Sequence, residues 1–266
     1  MNNSPIGIFD SGIGGLTISK SISNILPNEN FIYFGDTKHL PYGEKSTESI
    51  KDFSKKIISF LIKQKCKIII IACNSASSAT YNNSLVISSK INILNVIDPV
   101  ISEIEKINNE CNIGVIGTKA TISSGIYTKK IKELCNKANV NALATPLLAP
   151  MIEEGFINEN ISSTVIKKYL SNPTLENIEY LILACTHYPL IYNEIKEYYK
   201  GKVRVIDSAH ITAKHIKKHL TVNKLLKANS IGKHRFYVSN YTDSFEKSAR
   251  FFFQEQISLE EINLID

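Results

Sequence analysis

The chain has 266 residues, is 43% hydrophobic and 21% charged, and sets 31 Lys+Arg against 25 Asp+Glu for a formal net charge of +6. That balance excludes a disordered chain, and the length supports a full core in one or two domains. The longest clean apolar stretch starts at Ile68 and is far shorter than the roughly 20 residues that span a bilayer. The opening MNNSPIGIFDSG has neither a basic start nor an apolar signal core, so a cytoplasmic protein without a membrane partner is expected.

Short apolar runs alternate with amphipathic stretches along the whole chain. Strands are predicted at Ile6–Asp10, Phe31–Gly35, Lys67–Ala72, Ile91–Ile97, Asn112–Gly117, Ala142–Thr145, Tyr180–Ala184 and Val203–Ile206. Helical spacing of apolar residues marks Ser46–Gln64, Thr121–Asn136 and Ile161–Leu170. Near-continuous apolar strands imply burial on both faces, and alternation with helices implies a mostly parallel sheet. Ligands of such sheets bind beyond the carboxyl ends of the strands. Chemistry is therefore expected in the residues just after each strand.

Those residues repeat. GIFDSGIGGLTI from Gly7 resembles GVIGTKATI from Gly114, and IIIIACNSAS around Cys73 resembles LILACTHYP around Cys185. The offsets are 107 positions between the glycines and 112 between the cysteines, which suggests duplicated α/β halves facing one cleft. Each half would present one cysteine to that cleft.

The five cysteines, at 66, 73, 111, 135 and 185, form neither a disulfide framework nor CxxC metal spacing. Cys66, Cys111 and Cys135 lack the neighbours that set the other two apart and read as buried small hydrophobes. Cys73 precedes Asn74 and Ser75, and Cys185 precedes Thr186 and His187. A cysteine at the start of a helix meets unpaired N–H groups, which favour thiolate and lower its pKa from the usual ~8.5. Two thiols across one cleft suit inversion of a tetrahedral carbon, one removing a proton while the other delivers one. A single Cys–His pair would suggest acyl transfer instead. His187 lies only two residues from Cys185, a separation at which a linear pair is not expected.

The loop from Asp10 to Thr17 begins a G-x-G-x-x-G at Gly12 and Gly14 but ends it on Thr17, and Asp10 would repel a pyrophosphate. Asp10 reads instead as the receiver of a cationic amine or as proton partner to a thiol. Ser11 and the glycine N–H groups would then hold a carboxylate. No strand end supplies a convincing Schiff-base lysine, so no cofactor is expected. His215 and His219 have the i, i+4 spacing of helical metal ligands, but Lys217 and Lys218 lie between them and no third ligand is evident, so no metal is expected. The segment from Lys200 to Arg235 holds ten Lys/Arg and one acid, Asp207; it reads as a solvated basic face.

Eight stretches together resemble glutamate racemases of the aspartate/glutamate racemase family: GIFDSGIGGLT from Gly7, FGDTKHLPYG from Phe34, ACNSAS from Ala72, GTKATISSGIY from Gly117, PMIEEG from Pro150, ACTHYPL from Ala184, IDSA from Ile206 and the tail from Arg235 to Phe253. The resemblance covers nearly the whole chain. It implies two pseudo-symmetric α/β domains with mostly parallel sheets and a cleft between them, the first built from 1–97 plus 208–266 and the second from 98–207. It implies cofactor-independent interconversion of L- and D-glutamate, supplying D-glutamate for peptidoglycan and hence cell-wall biogenesis and cell shape. Cys73 and Cys185 would be the catalytic acid/bases, assisted by Asp10 and His187, with Glu153 helping to shape the site. Substrate contacts would come from Asp10, Ser11, Pro41, Tyr42, Gly43, Asn74, Ser75, Thr118, Thr121, Thr186 and His187. Ser75 departs from the family's usual threonine, keeping the hydroxyl and losing a methyl. Aspartate racemases share the two-cysteine plan, but they typically carry Glu where this chain has His187 and His where it has Ser77. The resemblance further implies a homodimer and, because some members bind DNA gyrase, a possible second role at a different surface.

Overall fold

The computed structural model describes residues 2–81, 91–107, 110–228, 230–253 and 257–264. Its strands are β1 (Ile6–Asp10), β2 (Phe31–Gly35), β3 (Ile68–Ile71), β4 (Asn92–Asn95), β5 (Asn112–Gly117), β6 (Asn139–Ala144), β7 (Tyr180–Ala184), β8 (Arg204–Asp207), β9 (His234–Val238) and β10 (Leu259–Glu261). Its helices are α1 (Leu16–Ile25), α2 (Thr47–Lys63), α3 (Asn74–Thr80), α4 (Ile97–Ile104), α5 (Lys119–Ser123), α6 (Ile126–Leu134), α7 (Leu148–Glu153), α8 (Asn160–Leu170), α9 (Tyr192–Tyr199), α10 (Ser208–Val222) and α11 (Asp243–Phe253).

One sheet has the order β10-β9-β2-β1-β3-β4 and the other β6-β5-β7-β8, and every pairing is parallel. The core of the first, β2-β1-β3-β4, has the same order as the whole of the second. β1 therefore corresponds to β5 and β3 to β7, the correspondence that the two sequence echoes express.

Side-chain alternation divides the first sheet's apolar residues between two layers. Ile6, Ile8, Ile68 and Ile70 pack with Leu16, Ile18 and Ile22 of α1 and with Ala213, Ile216 and Leu220 of α10. Phe9, Ile32, Phe34, Ile69 and Ile71 pack on the other face against Ile50, Ile57, Ile58 and Leu61 of α2. In the second sheet, Ile113, Val115 and Ile182 meet α4 and α6, while Ile116, Leu181 and Leu183 meet α7 and α8. Helices on both faces are what parallel strands require, since neither face can be left to water.

Three local expectations change. The helix predicted over Thr121–Asn136 is two, because Gly125 takes φ +65° and directs the chain from α5 into α6. A left-handed residue ends an α-helix, and glycine adopts that conformation without a Cβ penalty. The strand predicted at Ala142–Thr145 begins earlier, at Asn139, where it pairs with Asn112 of β5. β9 and β10 were not among the predicted strands: one lies at the end of the basic run, and the other is three residues with two glutamates. No helix among the described residues is long and apolar enough to cross a membrane.

Candidate active site

The carboxyl ends of β1, β3, β5 and β7 deliver the residues singled out in the sequence to one region between the sheets. Asp10 ends β1 and has no exposed surface. Its carboxylate accepts from the Gly12 N–H at 3.1 Å and from Thr186 Oγ1 at 3.4 Å, so residues of both halves hold one acid. Thr17, where a dinucleotide loop would have its last glycine, donates from Oγ1 to the Thr186 carbonyl at 2.9 Å. Burial pushes the Asp10 carboxyl above the usual aspartate range, and nearby His187 and the N–H groups of Gly12 and Gly15 offset this only in part.

Cys73 stands between β3 and α3 as the cap residue of α3, and Cys185 follows β7. Both thiols are buried. The Cys73 thiol approaches Ser11 Oγ at 3.8 Å. Burial pushes this thiol up, Asp10 adds to the rise, and the Ala76 N–H and the Ser11 hydroxyl oppose it. The expected lowering at a helix start is thus reversed for Cys73, because losing water and facing a carboxylate outweigh one short helix terminus.

Cys185 sits differently. Its sulfur lies 3.6 Å from His187 Nδ1, and His187 Nε2 lies 2.9 Å from Glu153 Oε1. The turn from Cys185 into the 3-10 helix at Tyr188–Ile191 folds the ring back onto the sulfur, which corrects the expectation that neighbours so close could not pair. Burial disfavours charge on His187, but its contacts with Cys185 and Glu153 prevail and raise its pKa well above the usual histidine range. Glu153 ends α7, so a carboxylate from one helix orients an imidazole from another loop.

The hydroxyls gather on the other side. Ser75 Oγ is 2.9 Å from Thr118 Oγ1 and 3.4 Å from Thr121 Oγ1, linking α3 to α5 across the two halves. Tyr42 and Gly43 form a 3-10 turn against the same threonine, after Pro41, whose peptide bond with Leu40 is cis. A Cβ on Gly43 would stand 2.7 Å from the Thr118 Cβ, so only glycine admits this approach. Tyr42 donates its hydroxyl to Asp36 Oδ2 at 2.5 Å, and Asp36 also accepts from Ser239 at 2.7 Å. Asp36 is thereby occupied in holding the loop. Asn74, the first residue of α3, is buried; its Oδ1 accepts from Tyr127 while its Nδ2 has no partner among the described residues.

Sequence reasoning placed Gly14 only in the glycine loop and assigned no role to Tyr33 or Tyr127. Tyr33 donates to the Gly12 carbonyl at 2.5 Å from beneath the Asp10 loop. A phenol on a buried strand carries no local signal that it supports a loop from another strand. The remaining cysteines lie in the hydrophobic cores, and burial pushes the Cys66 thiol up to about 12. Lys214, Lys217 and Lys218 are exposed on α10. Among the described residues, no group of three or more His, Cys, Asp or Glu is placed to hold a metal ion.

Known proteins share this arrangement of chain and fold. The family described as Asp/Glu/Hydantoin racemase matches residues 14–216. "Glutamate racemase 3" of Caldanaerobacter subterraneus is 38% identical over 265 residues, covering 98% of this chain and 95% of that one. The crystal structure of glutamate racemase from Francisella tularensis in complex with D-glutamate is 40% identical, with a TM-score of 0.92 and coverage of 99% of both chains. Glutamate racemase isoform RacE1 from Bacillus anthracis is 35% identical with a TM-score of 0.92 over 98% of both chains. Picrophilus torridus aspartate racemase shares the fold at 20% identity and a TM-score of 0.59. With a duplicated parallel α/β framework, a cysteine after the third strand of each half, and likeness of this extent, the chain belongs to the Asp/Glu/Hydantoin racemase family and is an isomerase.

Proposed function

We propose that the protein interconverts L- and D-glutamate without a cofactor, with Cys73 and Cys185 exchanging acid and base roles on opposite faces of the α-carbon. The observation that carries this reading is the unequal setting of the two buried thiols. Burial and the Asp10 carboxylate raise the Cys73 thiol, which lies 3.8 Å from Ser11 Oγ, whereas the Cys185 sulfur lies 3.6 Å from His187 of the His187–Glu153 pair. In the L to D direction Cys185 takes the α-proton and the Cys73 thiol delivers its own to the other face. In the reverse direction Asp10, whose carboxyl is itself raised, is the group suited to receive the Cys73 proton. Asp10 is also the anionic receiver for the substrate ammonium, and Ser11, Asn74, Ser75, Thr118, Thr121, Thr186 and the Tyr42–Gly43 backbone form a neutral-donor cradle for the carboxylates.

The two halves, 1–97 with 208–266 and 98–207, would close over the substrate and exclude water, which strengthens every donor aimed at the carbanion. The product would supply D-glutamate for peptidoglycan in the cytoplasm. Circular dichroism on L-glutamate and then L-aspartate, without added cofactor, tests the assignment. Rotation should decay with glutamate alone; comparable efficiency on both would make this a broader amino acid racemase. In deuterium oxide the α-carbon of the product should carry deuterium, and loss of rotation without that exchange would exclude proton transfer. Cys73→Ala and Cys185→Ala should each abolish racemisation.

A further inference from the structure

Asn74 and Tyr127 form a contact whose two ends belong to different halves of the molecule. Asn74 opens α3 beside Cys73, and Tyr127 lies on α6. Both side chains are almost fully buried, at 2% and 3% exposure. The Tyr127 hydroxyl donates to Asn74 Oδ1 at 2.7 Å, and Asn74 Nδ2 is a buried donor with no partner among the described residues.

The direction of this bond follows from what each group must satisfy. A buried phenolic proton needs an acceptor. Here the amide oxygen is the acceptor, and burial and nearby Cys185 keep the phenol protonated. Turning the amide over would leave that proton unpaired. With Oδ1 turned to the phenol, the side of the amide away from Tyr127 presents its NH2. An ionised carboxylate accepts hydrogen bonds and cannot donate them, so it fits this face and is repelled by the other.

We propose that Tyr127 is a positioning residue that locks the Asn74 amide with its NH2 toward a substrate carboxylate, so that the second half of the molecule sets the binding group of the first. The inference rests on the glutamate reading for its substrate and on the geometry for its direction. A residue acting only through Asn74 should be silent once Asn74 is gone.

Tyr127→Phe should raise KM for glutamate about tenfold, the order of one lost hydrogen bond to a charged group, while kcat changes much less. In an Asn74→Ala background the same replacement should change nothing further. An unchanged KM in folded Tyr127→Phe, or an equal factor in both backgrounds, overturns the proposal. Independently of any variant, saturating glutamate should shift the side-chain 15N–H resonances of Asn74 in the intact protein, and unshifted resonances overturn it as well. If wild-type protein binds glutamate with that shift yet does not racemise it, the proposed function fails while the role of Tyr127 stands.

Discussion

Gly14 shows how closely the two halves meet at the level of single atoms. A Cβ there would fall 2.4 Å from Thr186 Oγ1 and 2.6 Å from His187 Cε1, so the loop after β1 touches the loop after β7 only because the side chain is absent. Gly14→Ala should displace Thr186 and His187 and lower kcat/KM at least a hundredfold, on the scale expected when a catalytic group is moved by about 1 Å. Steady-state kinetics alongside a melting curve checks it, since a merely unfolded variant would lose both. Asp10 shows the opposite tension. A raised folded pKa means the native state holds the proton more tightly than the unfolded one, so this contribution is full at acid pH and is lost as pH rises through the folded pKa. Above the folded pKa the charged Asp10 therefore costs stability. Asp10→Asn should raise Tm by a few degrees at pH 7 and much less at pH 4, while lowering turnover at least a hundredfold. An unaltered or lowered Tm at pH 7 would contradict the assigned direction.

At the level of elements, the returning C-terminal chain is tied in by a buried ion pair. Lys67, just before β3, contacts Glu29 Oε2 at 2.5 Å, and neither side chain has more than 2% exposure. Lys67 Nζ also donates to the Leu225 carbonyl at 2.7 Å, and Glu29 Oε1 accepts from the Lys227 N–H at 2.7 Å. The pair thus fastens the segment after α10 beneath the first sheet. Glu29→Ala leaves a buried ammonium with carbonyl partners alone and should cost about 3–5 kcal/mol. Glu29→Gln combined with Lys67→Met should cost less than Glu29→Ala, because it removes the unpaired charge. Chemical denaturation of the variants would measure both. The lysines of the same basic run on α10 face water, so one charge-rich stretch holds both a solvated face and a structural anchor.

At the scale of the whole molecule, β9 and β10 make the first sheet wider than its counterpart. β2 pairs with β1 on one side and β9 on the other, and Phe31 meets Phe236 edge-on with ring centroids 5.5 Å apart. Ending the chain at Val222 would leave β2 as a long apolar edge and remove Phe236, Val238, Phe245, Ala249, Phe253 and Ile257 from the core. Each large apolar side chain contributes about 1.5–3 kcal/mol. Their joint loss is comparable to the about 5–15 kcal/mol that holds a folded protein together. The truncated chain should be insoluble or unfolded, as solubility and far-UV circular dichroism would report. A soluble, folded product would show that β2-β1-β3-β4 and the second sheet hold together without the C-terminal segment.

Much of this was local information. The apolar runs at Ile6, Phe31, Lys67, Asn112 and Tyr180 mark strands because burial on both faces demands unbroken hydrophobicity, and polar residues after them mark where a parallel sheet opens to ligands. The duplicated order was visible in two motif echoes for the same reason. What the residues alone left undecided depends on distance across space. That His187 folds back on Cys185, that burial and Asp10 raise the Cys73 thiol, and that Tyr127 reaches Asn74 follow from how the chain packs in three dimensions. Charge state is set by desolvation and by neighbours within a few ångströms, neither of which is written in sequence order. β9 and β10 became strands for a related reason: the edge of β2 supplies the hydrogen-bonding partner of β9, β9 in turn supplies that of β10, and LEE by itself carries little strand signal.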